Sequence, residues 1–318
     1  MRLSKLLTGC CFLLGFALLW TACGKEDVSP SNGGNTPLSG TRYKDSVFTE
    51  VIQHKDIVYG RATTQAGITI DLSMNIYEPS NDTEQKRPLI LLAHGGGFAE
   101  GSKEDFDGLA KTFATRGYVA ATIGYRLMDA ADNSLKVAVV DAVHDMRASV
   151  RFFTKDNAYK IHSDNIFIGG FSAGAVTALH YAYLDTEDLA TAPEEVRNHL
   201  NANGGFSGNS GNPGAKEDIR GVINIAGGLF DAQWVDAGEA ILYSIHGTAD
   251  PSCGIDPDAA SNPDGDFIQG SCVIHPIADS VGIVNTFKVL EGGDHGAYFS
   301  CGDCDADMRR FLFNNLSL

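Results

Sequence analysis

The sequence predicts an α/β domain: a mostly parallel central sheet with helices on both faces, entered through an N-terminal antiparallel strand pair. Three observations carry this. Short apolar runs such as Leu89–Ala93 read as strands buried on both faces. Single amphipathic stretches separate those runs, so strand and helix alternate along the chain. The 36 glycines suit a fold of tight turns and close backbone approaches better than a helical bundle.

The elements follow in order. Val47–Tyr59 and Ile68–Tyr77 alternate polar and apolar residues and form the antiparallel pair. Leu89–Ala93 (LILLA) is the first buried strand, followed by a helix over Glu104–Thr115 and a strand over Tyr118–Ile123. A long amphipathic helix spans Leu135–Lys155, and its Asp145 and Arg147 read as structural. The strand Asn165–Gly169 leads into a helix over Ala173–Leu184. Three more strands, Gly221–Ala226, Ile241–Ile245 and Asn285–Leu290, precede a closing helix over Asp305–Leu316. No internal repeat and no second core segment is visible, so residues 43–318 make one domain.

Composition narrows the function. With 43% hydrophobic and 20% charged residues, the 318-residue chain can bury a large core and is not a disordered protein. A net charge of −16 without a basic stripe excludes nucleic acid as a partner.

Residues 1–23 read as an export signal. Arg2 and Lys5 precede an apolar run, Cys10–Trp20, that is short for a membrane span and ends in small residues. The Ala22-Cys23 junction resembles a bacterial lipobox, in which Cys23 is lipidated. Gly24-Lys25-Glu26-Asp27 resembles the acidic export tag of Bacteroidetes surface lipoproteins. The resemblance implies a lipid anchor in the outer membrane, facing outward; a periplasmic or secreted protein is the alternative. Residues 24–42, rich in Gly, Ser, Asn and Pro, read as a flexible tether. Four cysteines remain, Cys253, Cys272, Cys301 and Cys304, and in an exported chain they imply two disulfides in any of three pairings. A zinc site is the weaker reading, because the spacing of Cys253 and Cys272 is not that of a ligand pair. The acidic stretch Asp256–Asp266 looks like a calcium loop, but an EF-hand register puts Ala260 and Ser271 at ligand positions. No metal or cofactor is expected.

Gly170-Phe171-Ser172-Ala173-Gly174 places a serine at a sharp strand-to-helix turn, where a helix N-terminus offers a free amide beside it. His94-Gly95-Gly96-Gly97-Phe98 follows the LILLA strand directly, and its glycines let backbone amides face a bound carbonyl. The Lys-Ser/Thr of a phosphate-binding loop is missing. With these motifs in this order, residues 50–315 resemble the α/β-hydrolase superfamily, and within it the esterases and lipases bearing HGGG. The resemblance implies that Ser172 is the nucleophile and that the amides of Gly96, Gly97 and Ala173 form an oxyanion hole. His94 would orient the loop. Tyr125-Arg126-Leu127 resembles the YRL stretch of the same esterases.

The acid and the base should follow in that order. His246-Gly247-Thr248-Ala249-Asp250 after a strand resembles the superfamily's acid turn, which makes Asp250 the acid ahead of Asp256 and Asp258. That turn is unlike the acid turn of hormone-sensitive-lipase-type esterases. His295 in Gly292-Gly293-Asp294-His295-Gly296 follows the last strand and is the base ahead of His275. The insertion Asp185–Asp218, with Asn203–Gly208 at its centre, is either a lid or substrate rim or a plain surface loop. The implied chemistry is carboxylic-ester hydrolysis through an acyl-enzyme. Export to the cell surface favours acetyl or feruloyl esters of glycans, with a broad short-chain carboxylesterase or lipase as the alternative. A serine peptidase is disfavoured because no propeller precedes the domain. A non-catalytic glycan-binding lipoprotein is disfavoured because all triad and oxyanion positions are filled.

Overall fold

The computed structural model of the chain describes residues 40–128, 134–254 and 268–318. The signal, Cys23, most of the tether and the acidic stretch 256–266 lie outside the described residues. Arg42, read as the last residue of the tether, is already part of the body. Its guanidinium donates to both carboxylate oxygens of Asp82, at 3.0 and 2.6 Å.

The antiparallel entry is β1 (Val51–Thr63) and β2 (Thr69–Pro79), paired from Val51 opposite Pro79 to Thr63 opposite Thr69 with register shifts between His54 and Ile57 and between Val58 and Gly60. The alternation that begins at Val47 has a different cause. Val47 and Phe48 are buried, but both amides donate to the Thr115 carbonyl, so this segment caps a neighbouring helix end and is not strand. Next come β3 (Arg87–Ala93), α1 (Asp107–Ala114), β4 (Val119–Ile123), α2 (Leu135–Thr154), β5 (Ile161–Phe171) and α3 (Ala173–Tyr183). Then α4 (Glu194–Ala202), β6 (Gly221–Ile225), β7 (Gly228–Leu229), β8 (Ile241–Gly247) and β9 (Gln269–Gly270) follow, and α5 (Ser271–Val281), β10 (Asn285–Leu290) and α6 (Cys304–Asn314) complete the chain.

Eight strands form one sheet in the order β1-β2-β4-β3-β5-β6-β8-β10; β7 and β9 pair separately. β2 runs antiparallel to β1 and β4, and the strands from β4 to β10 are parallel. The strand period of two explains why the run Leu89–Ala93 of β3 is apolar throughout. Leu89, Leu91 and Ala93 enter the cluster formed with α2, α3 and α4, whereas Ile90 and Leu92 enter the one formed with α1 and α6. Both faces are covered, and each buried aliphatic side chain contributes about 1.5–3 kcal/mol.

Chain order reverses around β3, which has β4 on one side and β5 on the other. The loops leaving the C-terminal ends of β3 and β5 therefore lie side by side, the place where open α/β sheets put their sites.

The periodicity reading lacks α4 and α5. Pro276 sits inside α5, and Val273, Ile274 and Ile277 are β-branched, so that segment carries a weak helical signal. α4 belongs to the 185–218 insertion, which is fastened to α2 along its length. His144 Nε2–H donates to the Gly205 carbonyl at 2.8 Å, and Arg151 donates to the carbonyls of Ser207 and Gly211 at 2.7 and 3.0 Å. The Asn203–Gly208 stretch is thus a packed layer on α2. Asp145 and Arg147 are indeed structural: Arg147 pairs with Glu217 at 3.1 Å, and Asp145 is wholly buried against Arg126 at 2.8 Å.

Candidate active site

Ser172 stands between β5 and α3 with φ 51° and ψ −119°, a backbone region that costs a non-glycine residue about 1–3 kcal/mol. Its surroundings impose that conformation. The Ser172 amide donates to Ile225 O at 2.8 Å, and its carbonyl accepts from Val176 N at 2.9 Å. The flanking glycines are required by space: a Cβ on Gly170 or Gly174 would stand 2.2 Å from Ala93 O. β5 and α3 can approach β3 this closely only without side chains at those two positions.

The structure brings Ser172, His295 and Asp250 into one line. His295 Nε2 is 2.9 Å from Ser172 Oγ, and His295 Nδ1 is 2.6 Å from Asp250 Oδ2. The carboxylate can only accept, so Nδ1 carries the hydrogen and Nε2 of the neutral ring is left to take the serine proton. Asp250 follows β8 and His295 follows β10, neighbouring parallel strands, so their loops rise together above the same sheet edge. Burial by itself would raise the Asp250 carboxyl. The hydrogen bonds from His295 and Ser252 outweigh it, and the group sits below the ordinary aspartate range. The Asp250 side chain is 4% exposed, whereas that of His295 is 46% exposed. The hydrogen-bonded line runs from the protein interior to an open surface.

The glycine loop after β3 lies against the same centre. Gly96 has φ 109° and Gly97 φ 59°, and a Cβ on Gly96 would meet Glu100 O at 2.1 Å, so the loop needs glycine there. Among the described residues, no turn or cap hydrogen bond uses the amides of Gly96, Gly97 or Ala173. His94 is folded back on its own loop. Its Nδ1–H donates to Gly95 O at 2.7 Å, and its ring stacks on Tyr125 at 4.4 Å. Burial holds it below the usual histidine range, hence neutral. The Tyr125 hydroxyl donates to the His94 carbonyl at 2.8 Å, so the tyrosine of the YRL stretch pins the loop.

Beside the loop lies a cleft of about 530 Å³ lined by Glu100, Asp105, Phe171 and Phe299 among others. Phe299 is 66% exposed and stands edge-on to Phe171 at 4.9 Å; Phe171 in turn touches the His295 ring.

The cysteines resolve into two bridges, Cys253–Cys272 and Cys301–Cys304. The second lies just after the loop that carries His295. His275, the rival base, is elsewhere: it is buried with Nδ1–H donating to Asn285 Oδ1 at 2.7 Å. Two contributors escaped the sequence reading. Ser252 and His246 both touch the Asp250 carboxylate, and neither residue type at that spacing marks an acid-holding role.

The fold resembles that of solved esterases. The chain superposes on an esterase from Thermogutta terrifontis solved with propionate bound, with TM-score 0.57, 20% identity and coverage of 82% of this chain and 93% of that one. The same esterase with butyrate bound gives TM-score 0.55 at 21% identity, covering 82% and 91%. This is an α/β-hydrolase fold. The BD-FAE family model matches residues 74–227, a span of the α/β-hydrolase that includes the glycine loop and the serine elbow and ends before Asp250 and His295. Gut esterase 1 of Caenorhabditis briggsae is 30% identical over 120 residues, and that of Caenorhabditis elegans 32% over 113, each match covering 33% of this chain. The chain spans about a fifth of the length of these curated relatives.

Proposed function

We propose that the protein is a serine carboxylic-ester hydrolase, with Ser172 as nucleophile, His295 as base and Asp250 as acid. The observation that carries this is the unbroken hydrogen-bonded line from Asp250 through His295 to Ser172 Oγ. A serine hydroxyl is a weak nucleophile at neutral pH, and this line lets its proton leave as Oγ attacks the ester carbonyl carbon. The proton passes to His295 Nε2. The carbonyl oxygen becomes an oxyanion, which the amides of Gly96, Gly97 and Ala173 are free to receive. As the bond to the alcohol breaks, His295 returns the proton to the departing alkoxide. Water then enters by the same route and frees the acid.

The substrates we infer are acyl esters of glycans, acetyl or feruloyl. The open site supports this reading, since a His295 side chain nearly half exposed leaves room for a bulky alcohol. The signal and Cys23 support it from the sequence, through export and lipid anchoring at the outer membrane, where polysaccharides are met. A broad short-chain carboxylesterase is the second reading, favoured by the propionate and butyrate held by the Thermogutta esterase.

One assay series tests both. The chain from residue 24 and its Ser172→Ala variant are given p-nitrophenyl acetate and butyrate, methyl ferulate and acetylated xylan. Turnover that disappears in the variant supports the hydrolase. Preference for the xylan or the ferulate supports the glycan reading, and preference for the p-nitrophenyl esters the short-chain one. Equal behaviour of the two proteins overturns the assignment.

A further inference from the structure

The carboxylate behind His295 has a second imidazole on it. His246, near the end of β8, is fully buried, and its Nε2 stands 3.0 Å from Asp250 Oδ2, the oxygen that also receives His295 Nδ1–H at 2.6 Å. Because a carboxylate accepts, Nε2 of His246 carries the hydrogen. In the neutral ring Nδ1 is then an acceptor, and Ser271 Oγ lies 2.9 Å from it. Ser271 Oγ itself receives the Asn224 amide at 3.0 Å. The direction of each hydrogen in the row follows: Asn224 to Ser271, Ser271 to His246, His246 to Asp250. On the other carboxylate oxygen Ser252 donates twice, from its amide at 3.0 Å and its hydroxyl at 2.8 Å. Among the described residues four donors therefore surround Asp250, and they fix both the plane of the carboxylate and which oxygen faces His295.

This cage is tied together covalently. Ser252 and Ser271 are the immediate neighbours of Cys253 and Cys272, which are joined across 19 positions of sequence. The backbones meet as well: Gly270 N donates to Gly254 O at 2.9 Å, and a Cβ on Gly270 would stand 1.9 Å from Ser252 O.

We propose that His246, oriented by Ser271, is a positioning residue that holds the Asp250 carboxylate in the one setting that aligns His295 with Ser172. The inference rests on the serine-hydrolase reading of those three residues. Among the described residues, the titratable groups facing His246 are Asp250 and His295. Burial lowers the His246 imidazole, and the pull of Asp250 does not restore it, so the ring stays neutral and the direction of the row is kept. Without the His246 N–H, the carboxylate loses one of its four donors, rotates more freely and becomes more basic, which stabilises protonated His295 more strongly.

The test compares His246→Leu with His246→Gln in the full chain, normalised by titrating reactive serine with a fluorophosphonate. The Gln amide reaches the position of the imidazole Nε2 and can donate to Asp250. For H246L we expect kcat per titrated site to fall about 10- to 100-fold with KM little changed. The acid limb of kcat/KM should move to higher pH, and H246Q should restore most of both. A merely structural His246 would reduce the number of titratable sites and leave kcat per site and the pH limb where they were; that result overturns the proposal. Should H246L not fold, Ser271→Ala carries the same test, with a smaller kcat loss and a limb shift in the same direction expected, and neither change overturning it. A wild-type chain whose Ser172 takes no label would instead overturn the hydrolase reading on which the inference stands.

Discussion

Two buried aspartates, Asp145 and Asp250, are held in much the same way and, in the proposed hydrolase, do different work. Each accepts several hydrogen bonds. Asp145 takes Arg126 through its backbone amide, Nε and Nη2 and takes Ser210 Oγ at 2.6 Å; Asp250 takes His295, His246 and Ser252 twice. The difference is the partner. Arg126 is permanently charged and shares no proton, so the Arg126–Asp145 pair can only be made or broken. It joins α2 to the end of β1 and to the insertion, through Thr63 O and Ser210. Histidine gains and loses a proton near neutral pH, so in the proposed hydrolase the carboxylate set against His295 acts on a proton in transit. Between these two aspartates the difference lies in whether the partner can titrate.

The largest effects separate the two. Asp250→Asn should lower kcat by about 10⁴-fold, because an amide donor favours the wrong imidazole tautomer, with thermal stability close to wild type. Asp145→Asn should do the reverse. Arg126 keeps its second carboxylate partner, Asp141 at 2.9 Å, so losing the Asp145 charge costs about 1–3 kcal/mol, while kcat per titrated serine stays within a few fold. Steady-state kinetics beside denaturant melts of both variants would decide it, and D145N losing activity per site as D250N does would erase the distinction.

Next in size are the backbones that bring the site together. Gly174→Ala places a methyl 2.2 Å from Ala93 O, and the elbow must move away from β3. We expect a loss of about 1–3 kcal/mol in stability and a drop in kcat of at least tenfold, read by the same two measurements. The Cys253–Cys272 bridge closes a loop of 19 positions, so replacing both cysteines with alanine should cost about 3 kcal/mol. Because that bridge flanks Asp250 and not Asp145, its loss should also lower kcat, which neutral substitutions around Arg126 should not do.

What the sequence made legible follows the same division. The serine elbow and the glycine loop are local: each needs glycines within a few positions of a buried strand, and that requirement is written in consecutive residues. Asp250 and His295 could be found because each sits in the loop that follows a strand, in a fixed order. The structure brings them within hydrogen-bond reach of one another. His246, Ser252 and Ser271 were not legible. Their role comes from hydrogen bonds that close only when β8 and the start of α5 are packed, and no periodicity marks a side chain that faces another loop. The Arg126 knot was half legible. Its helix partner Asp145 could be read as structural, but Ser210 lies far along the chain in a stretch with the composition of a loop.

A third kind of acid extends the comparison and gives the smallest effect. Among the described residues, Asp188 and Glu239 have neither an arginine nor a histidine on their carboxylates. Burial raises both, backbone amides of Asp185 and Asp236 only partly oppose it, and neighbouring acids add to the rise, so that Asp188 reaches about 6 and Glu239 about 7. Raised carboxyl groups keep their protons in the folded state after the unfolded chain has released them. The stability this confers is complete below the unfolded value, near 4, and is lost as pH rises through 6 and 7. Melting temperature should therefore fall by a few degrees between pH 5 and pH 8, in the opposite sense to the contribution of Asp250, whose lowered value loses stability only on strong acidification. Asp188→Asn should flatten the slope, because an amide there has no proton to lose. A D188N melt profile as steep as wild type would mean that the acids around Asp188 ionise without strain, and that a buried carboxylate here needs no cation beside it.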